Sequence, residues 1–144
     1  MKKRTDNPWM SATDYGHSLP TFTINLLVRN VAAGVEFYEA VLGGTEHYQD
    51  EDFAALNVAG LEFMLHADHT YETHPWVAPL EAGKRRGLGV ELRLLGLDPD
   101  KVETLARHNG AVLIAPATDK PHGWRETMVQ DPDGYIWAVG IKIN

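Results

Sequence analysis

The chain has 144 residues, 44% hydrophobic and 23% charged, which is the size and composition of one globular domain with room for a sizeable core. Its net charge of −7 argues against nucleic acid or an anionic membrane surface as partner, and fits either a preference for cationic small molecules or simple solubility. There is no cysteine for a disulfide or thiolate metal site, no apolar run of the roughly 18 residues a membrane span needs, and no apolar segment of a secretory signal in MKKRTDNPWM, so a cytoplasmic setting is expected.

Residues 1–21 are polar, with Pro8, Gly16 and Pro20, and read as an arm that Trp9, Met10 and Tyr15 can tie to the body or to a second subunit. The remainder, 22–144, reads as a single domain made of modules 22–66 and 87–141 and a linker, 67–86. FTINLLVR (22–29) alternates as a strand. Asn30 can cap a helix whose Val31, Val35, Tyr38 and Leu42 share one face and which Gly43 ends. Strands are expected at 45–49, 53–58 and 61–66, with turns at 50–52 and at Ala59-Gly60. Residues 67–86 lack periodicity; Lys84-Arg85-Arg86 reads as solvated linker, and the crowded HADHTYETH as solvated loop. The pattern then repeats: a strand over 88–95, a helix opened by Asp98-Pro99 with Val102, Leu105 and Ala106 inward, and strands near 111–115, 124–130 and 135–141 with Asp133-Gly134 in the last turn. The two βαβββ units are offset by about 66 residues, from the Val28 strand to the Leu94 strand.

Strand parity then sorts the side chains. Ile24, Leu26 and Val28, Leu61, Phe63 and Leu65, and Val90, Leu92 and Leu94 form apolar sets that belong on the helix side. Asn25, Arg29, Glu62, Met64, His66, Glu91 and Arg93 fall on the opposite face, an unusually polar one. Either they orient a polar ligand, or Glu62 and Glu91 pair with Arg29 and Arg93 and satisfy one another. His66 sits where it can act as an acid or base, and Trp76 and Trp124, each beside Pro or Gly, can stack on planar ligands or cations. Phe37, Tyr38, Tyr135 and Trp137 read as core.

In this order and spacing, LLVRNVAAGVEFYEAVLGG, LEFMLHAD and MVQDPDGYIWAV resemble the vicinal oxygen chelate superfamily, which includes glyoxalase I, extradiol dioxygenases, and the bleomycin and fosfomycin resistance proteins. The resemblance covers residues 22–141 and implies an α+β fold in which two βαβββ modules form a cup-shaped mixed sheet with helices outside. It implies a site on the concave face and a homodimer. It also places the superfamily's metal ligands at Thr23, Met64, Gly89 and Ala138, none of which is a usual ligand for a divalent cation. The expectation is therefore a small-molecule binding protein without metal or other cofactor, similar to the bleomycin resistance branch and sequestering a drug or metabolite. Its ligand-binding residues would be Asn25, Arg29, Glu62, Met64, His66, Trp76, Glu91, Arg93 and Trp124. The alternative is a metal-dependent lyase, isomerase or oxidoreductase with a shifted site at Glu62, His66 and Glu91. A third reading is a regulatory module that meets another protein through the arm and the sheet edges.

Overall fold

The computed structural model describes residues 1–144. A short helix, α1 (Ala12–Ser18), precedes β1 (Ile24–Val28), α2 (Val31–Ala40), β2 (Thr45–Gln49), β3 (Phe53–Val58) and β4 (Leu61–Ala67). A single 3-10 turn (Asp68–Thr70) and α3 (Val77–Glu81) lead to β5 (Glu91–Leu95), α4 (Pro99–His108), β6 (Val112–Lys120), β7 (Trp124–Gln130) and β8 (Ile136–Lys142). The strands make two four-stranded sheets, ordered β1-β4-β3-β2 and β5-β8-β7-β6. In each, the first pair is parallel and the others antiparallel. No helix is long and apolar enough to cross a membrane.

Local chemistry sets the boundaries. Asn30 Oδ1 accepts from the Ala33 amide at 3.0 Å and starts α2; Asp98 accepts from the Asp100 and Lys101 amides and starts α4. The β3–β4 hairpin turns through Ala59 and Gly60, both at positive φ (50° and 84°), and Asn57 Oδ1 accepts from the Gly60 amide. The Asp131 carboxylate accepts from the amides of Asp133, Gly134 and Tyr135 and closes the turn before β8.

Except at Val90, the apolar sets read from parity face the helices. Leu26, Val28, Phe63 and Leu65 pack with Val31, Val35 and Tyr38 of α2, and Leu94, Val129, Trp137 and Val139 belong to the same core as Val102 and Ala106 of α4. One aromatic residue joins the two halves. The buried Tyr38 hydroxyl donates to Asp131 at 2.6 Å and accepts from Trp137 Nε1 at 3.1 Å, with its ring 5.0 Å from Phe63 and 5.6 Å from Trp137. The helix-bearing sides of both sheets thus share one core, while β1 and β5 stay free edges with no ladder between them.

Three expectations need correction. The strand expected from 88 begins at Glu91, because Gly87 and Gly89 take φ of 63° and 86° and turn the chain first. Leu88 and Val90 are consequently exposed, and Val90 does not join the core face. Arg86 is buried rather than solvated: it grips Asp68 with two bonds of 2.7 and 2.6 Å and donates to the Leu27 carbonyl at 2.8 Å. A bidentate carboxylate and a strand-end carbonyl take bonds from both terminal nitrogens of this guanidinium, and Nε lies 3.7 Å from Asp133, partners that Lys84 and Arg85 do not have. The HADHTYETH segment is likewise not merely loop, since Asp68 holds Arg86 and His69 Nε2 lies 2.6 Å from Asp52.

Candidate functional site

The face of the first sheet opposite the core is built from paired strands. Register sets Phe53 beside His66, Ala55 beside Met64, and Asn57 beside Glu62, with Asn25 of β1 beside Met64 on the other flank. Asn25 fixes the imidazole: its Nδ2 donates to the Tyr71 hydroxyl at 2.8 Å, and its Oδ1 lies 2.7 Å from His66 Nδ1. That amide orientation makes Nδ1 the protonated nitrogen and leaves Nε2 an acceptor with no protein partner. Phe53 and Tyr71 pack on the ring, with centroids 4.8 and 5.2 Å away. Burial, with a smaller push from the Lys2 charge and some opposition from Asp50, brings the His66 pKa down to about 4. The side chain is therefore a neutral acceptor at neutral pH.

The N-terminal arm covers this face. Asp52 accepts from the Lys3 and Arg4 amides at 2.7 and 3.2 Å. Burial works against the charge of Asp52, but His69 and those two amides outweigh it and keep its pKa below the ordinary value. Trp9 stacks on Tyr48 at 4.6 Å, and Tyr15 packs edge-on against Phe53 at 5.2 Å. Between arm and sheet lies a chamber of about 260 Å³ walled by Trp9, Tyr15, Phe53 and Met64, with His66 on the sheet side. Tyr15 is 7% exposed and its hydroxyl has no hydrogen-bond partner. Burial, then the charge of the Glu62 carboxylate and its pull on the hydroxyl proton, push its phenol up to about 12.

The corresponding face of the second sheet is open. Arg93 reaches both Glu91, at 2.7 Å, and the buried Glu126, whose carboxylate also lies 3.2 Å from His122 Nε2. Burial favours protonated Glu126, but His122 and Arg93 outweigh it and lower its pKa. Gly140 makes the space: a Cβ there would stand 2.9 Å from Glu126 Cγ. Trp124 and Met128 share this face, since Trp124, Glu126 and Met128 alternate along β7. Glu126 and His122 escape a sequence reading because β7 hides its alternation. Its inward residues include Arg125, held by Asp100 of α4 at 2.7 Å, and Thr127, which donates to the Ala115 carbonyl.

The expected residues therefore fall in different places. Asn25, Glu62, Met64 and His66 lie together on the first sheet; Glu91, Arg93 and Trp124 lie on the second. Glu91 does pair with Arg93, but Arg29 pairs with Asp133 rather than Glu62, because the end of β1 meets the Asp131–Tyr135 turn. Trp76 belongs to neither face. It opens α3 and lines an apolar cleft of about 550 Å³ with Phe22, Ile24, Leu80, Leu88 and Val90 along the free edges.

The residues present do not fit the superfamily's metal. The Thr23 hydroxyl donates to the Pro20 carbonyl, Gly89 lies in the bend before β5, and Met64 and Ala138 offer no hard donor. Nowhere do three His, Asp or Glu side chains converge, and the alternative set is split between sheets, with Glu62 and His66 on one and Glu91 on the other.

This fold, with paired βαβββ units and polar faces turned away from the helices, defines a class that comparison identifies. A family model described as Glyoxalase/Bleomycin resistance protein/Dioxygenase superfamily matches residues 21–139, and the chain belongs to that superfamily. Similar solved structures include a glyoxalase-related enzyme from Fulvimarina pelagi, 19% identical, covering 85% of this chain and 88% of that one at a TM-score of 0.67. A glyoxalase/bleomycin resistance protein/dioxygenase from Nocardioides is 23% identical, with 92% and 93% covered and a TM-score of 0.66. TioX from Micromonospora sp. ML1 is 18% identical, with 84% and 97% covered and a TM-score of 0.61. At these identities the likeness is one of fold. No curated protein matches the chain.

Proposed function

We propose that the chain is a metal-independent small-molecule binding protein that holds a drug or metabolite against the concave sheet faces. The observation that carries this reading is the chamber between arm and first sheet: aromatic walls, a neutral imidazole of fixed tautomer, and no metal-ligand set at the superfamily's positions. A mostly apolar enclosure with a few convergent polar groups is what a small-ligand site requires. Asn25, Glu62, Met64 and His66 would serve on the first sheet, and Glu91, Arg93, Trp124 and the newly found Glu126 on the second.

A homodimer belongs to this proposal. β1 and β5 are unpaired edges beside exposed Phe22, Leu88 and Val90, and unpaired edges flanked by exposed apolar side chains invite pairing. Trp76 would then act at the contact rather than on the ligand. The arm 1–21 with one domain, 22–144, remains our division of the chain, and the absence of cysteine supports a cytoplasmic setting.

The test joins metal analysis to a thermal-shift screen of planar, cationic and antibiotic-like compounds on protein purified without chelators. We expect no stoichiometric metal and a rise in Tm with at least one planar compound, since a ligand of the folded state stabilises it. One equivalent of a transition metal per chain, or no shift across the panel, would sink the reading.

A further inference from the structure

We propose that the arm is a strap latched at Asp52, and that its opening admits a ligand to the sheet face carrying His66. This rests on the binding reading above and gives that site its gate. The hydrogen bonds that leave the arm all start within its first four residues. Met1 donates to the His69 carbonyl, and the Lys3 and Arg4 amides both donate to Asp52, at 2.7 and 3.2 Å. Two ion pairs join the same region, Met1 with Glu72 at 2.7 Å and Arg4 with Asp50 at 3.6 Å. Asp52 is 2% exposed, and apart from the arm its side chain bonds only to His69. A buried carboxylate that loses two amide donors is left short of bonds, so this one residue biases the arm toward its closed position.

Beyond Arg4 the hold is lighter. Trp9 stacks on Tyr48, and Tyr15 packs on Phe53 with its hydroxyl drawn toward Glu62. Tyr15 is the arm's one buried residue, no arm residue belongs to the common core, and the arm adds no strand to either sheet. Before β1 the Thr23 hydroxyl bonds only back to the Pro20 carbonyl, which leaves Leu19–Thr23 as the segment about which the strap turns. A segment with so few buried contacts opens at much lower cost than the body it lies on. Trp9, Tyr15 and Leu19 line one side of the chamber, and Phe53, Met64 and His66 line the other. Opening therefore dismantles the chamber and bares the His66 ring, whose Nε2 has no protein partner. Covers of this kind admit ligand when they lift and exclude water when they close.

The gate is read without a ligand, by diethyl pyrocarbonate, which acylates a free, neutral imidazole nitrogen, with each modified histidine resolved by mass spectrometry. The full chain is compared with Asp52→Asn, which takes one acceptor oxygen from the latch, and with Trp9→Ala, which thins the aromatic hold. Amide exchange of β3 and β4 in the same samples shows whether the body stays intact. In wild type His66 should react about tenfold more slowly than the exposed His47 and His108. Asp52→Asn and Trp9→Ala should each raise the His66 rate about fivefold or more, with His47, His108 and the β3 and β4 amides unchanged. Should Asp52→Asn fail to fold, the Trp9→Ala rate decides. A wild-type His66 as reactive as His47 would overturn the proposal, and so would a His66 rate that the substitutions leave unmoved. A rise matched by faster exchange throughout β3 and β4 would also overturn it, since the whole domain would then be loosening. If a compound of the screen binds while His66 is freely reactive, the gate falls and the binding reading stands. If His66 is gated as expected and nothing binds, the binding reading falls alone.

Discussion

His66 illustrates how a single side chain can take its properties from its neighbours. Phe53, Tyr71 and the arm remove it from water, Lys2 adds a like charge for the protonated form, and Asp50 only partly compensates. The folded-state pKa of about 4 lies below the unfolded value near 6.5, so between these values the unfolded chain binds the extra proton. The neutral ring's contribution is complete above pH 6.5 and disappears as pH falls through that window. At full loss it amounts to about 3 kcal/mol. Wild type should therefore lose more stability than His66→Gln between pH 6.5 and 4, as read from urea midpoints, and the His66 ring protons should titrate near pH 4 by NMR. A titration midpoint near 6.5 would place the ring in water and contradict its burial beneath the arm.

Among the elements, the linker departs furthest from its appearance in the sequence. Arg86 binds Asp68 of the 3-10 turn, the β1 carbonyl of Leu27, and approaches Asp133 at 3.7 Å. Tyr135 donates to the same carbonyl at 2.9 Å. Removing the guanidinium would take both bonds from Asp68 and a buried counter-charge from Asp133, and breaking a buried ion pair from one side costs about 3–5 kcal/mol. Arg86→Ala should lower the urea midpoint accordingly, while Lys84→Ala and Arg85→Ala, both at exposed positions, should leave it within error. Three neighbouring basic residues look alike in a sequence. Which of them meets a carboxylate depends on where the turn after β4 lands, and that is a tertiary fact.

At the scale of the whole molecule, the architecture was legible because it is written in local signals. The Asn30 and Asp98 caps, the Ala59-Gly60 turn and the period-two apolar sets each specify an element without reference to the others. The site was legible only by halves. Parity placed Asn25, Met64 and His66 together, but nothing periodic in the arm announced that Trp9 and Tyr15 would lie over them. Likewise, inward Arg125 and Thr127 concealed the face that carries Glu126. The proposed dimer is tested at this scale too. Phe22 and Val90 are 75% and 58% exposed, so Phe22→Lys with Val90→Lys should barely disturb the single chain. Light scattering should give a dimer for wild type and a monomer for the double variant; a monomer in both would leave the apolar edges without the partner we assign them.

The Tyr38, Asp131 and Trp137 contact bears on how the chain comes apart. Its three members come from α2, the turn before β8, and β8 itself, so they bind a residue of the first βαβββ unit to two of the second. Pulling either unit away would strand a buried carboxylate, a phenol and an indole N–H together, and that penalty falls on any half-melted form. Two units that look like copies of one another in the sequence are thereby made to unfold as one cooperative body.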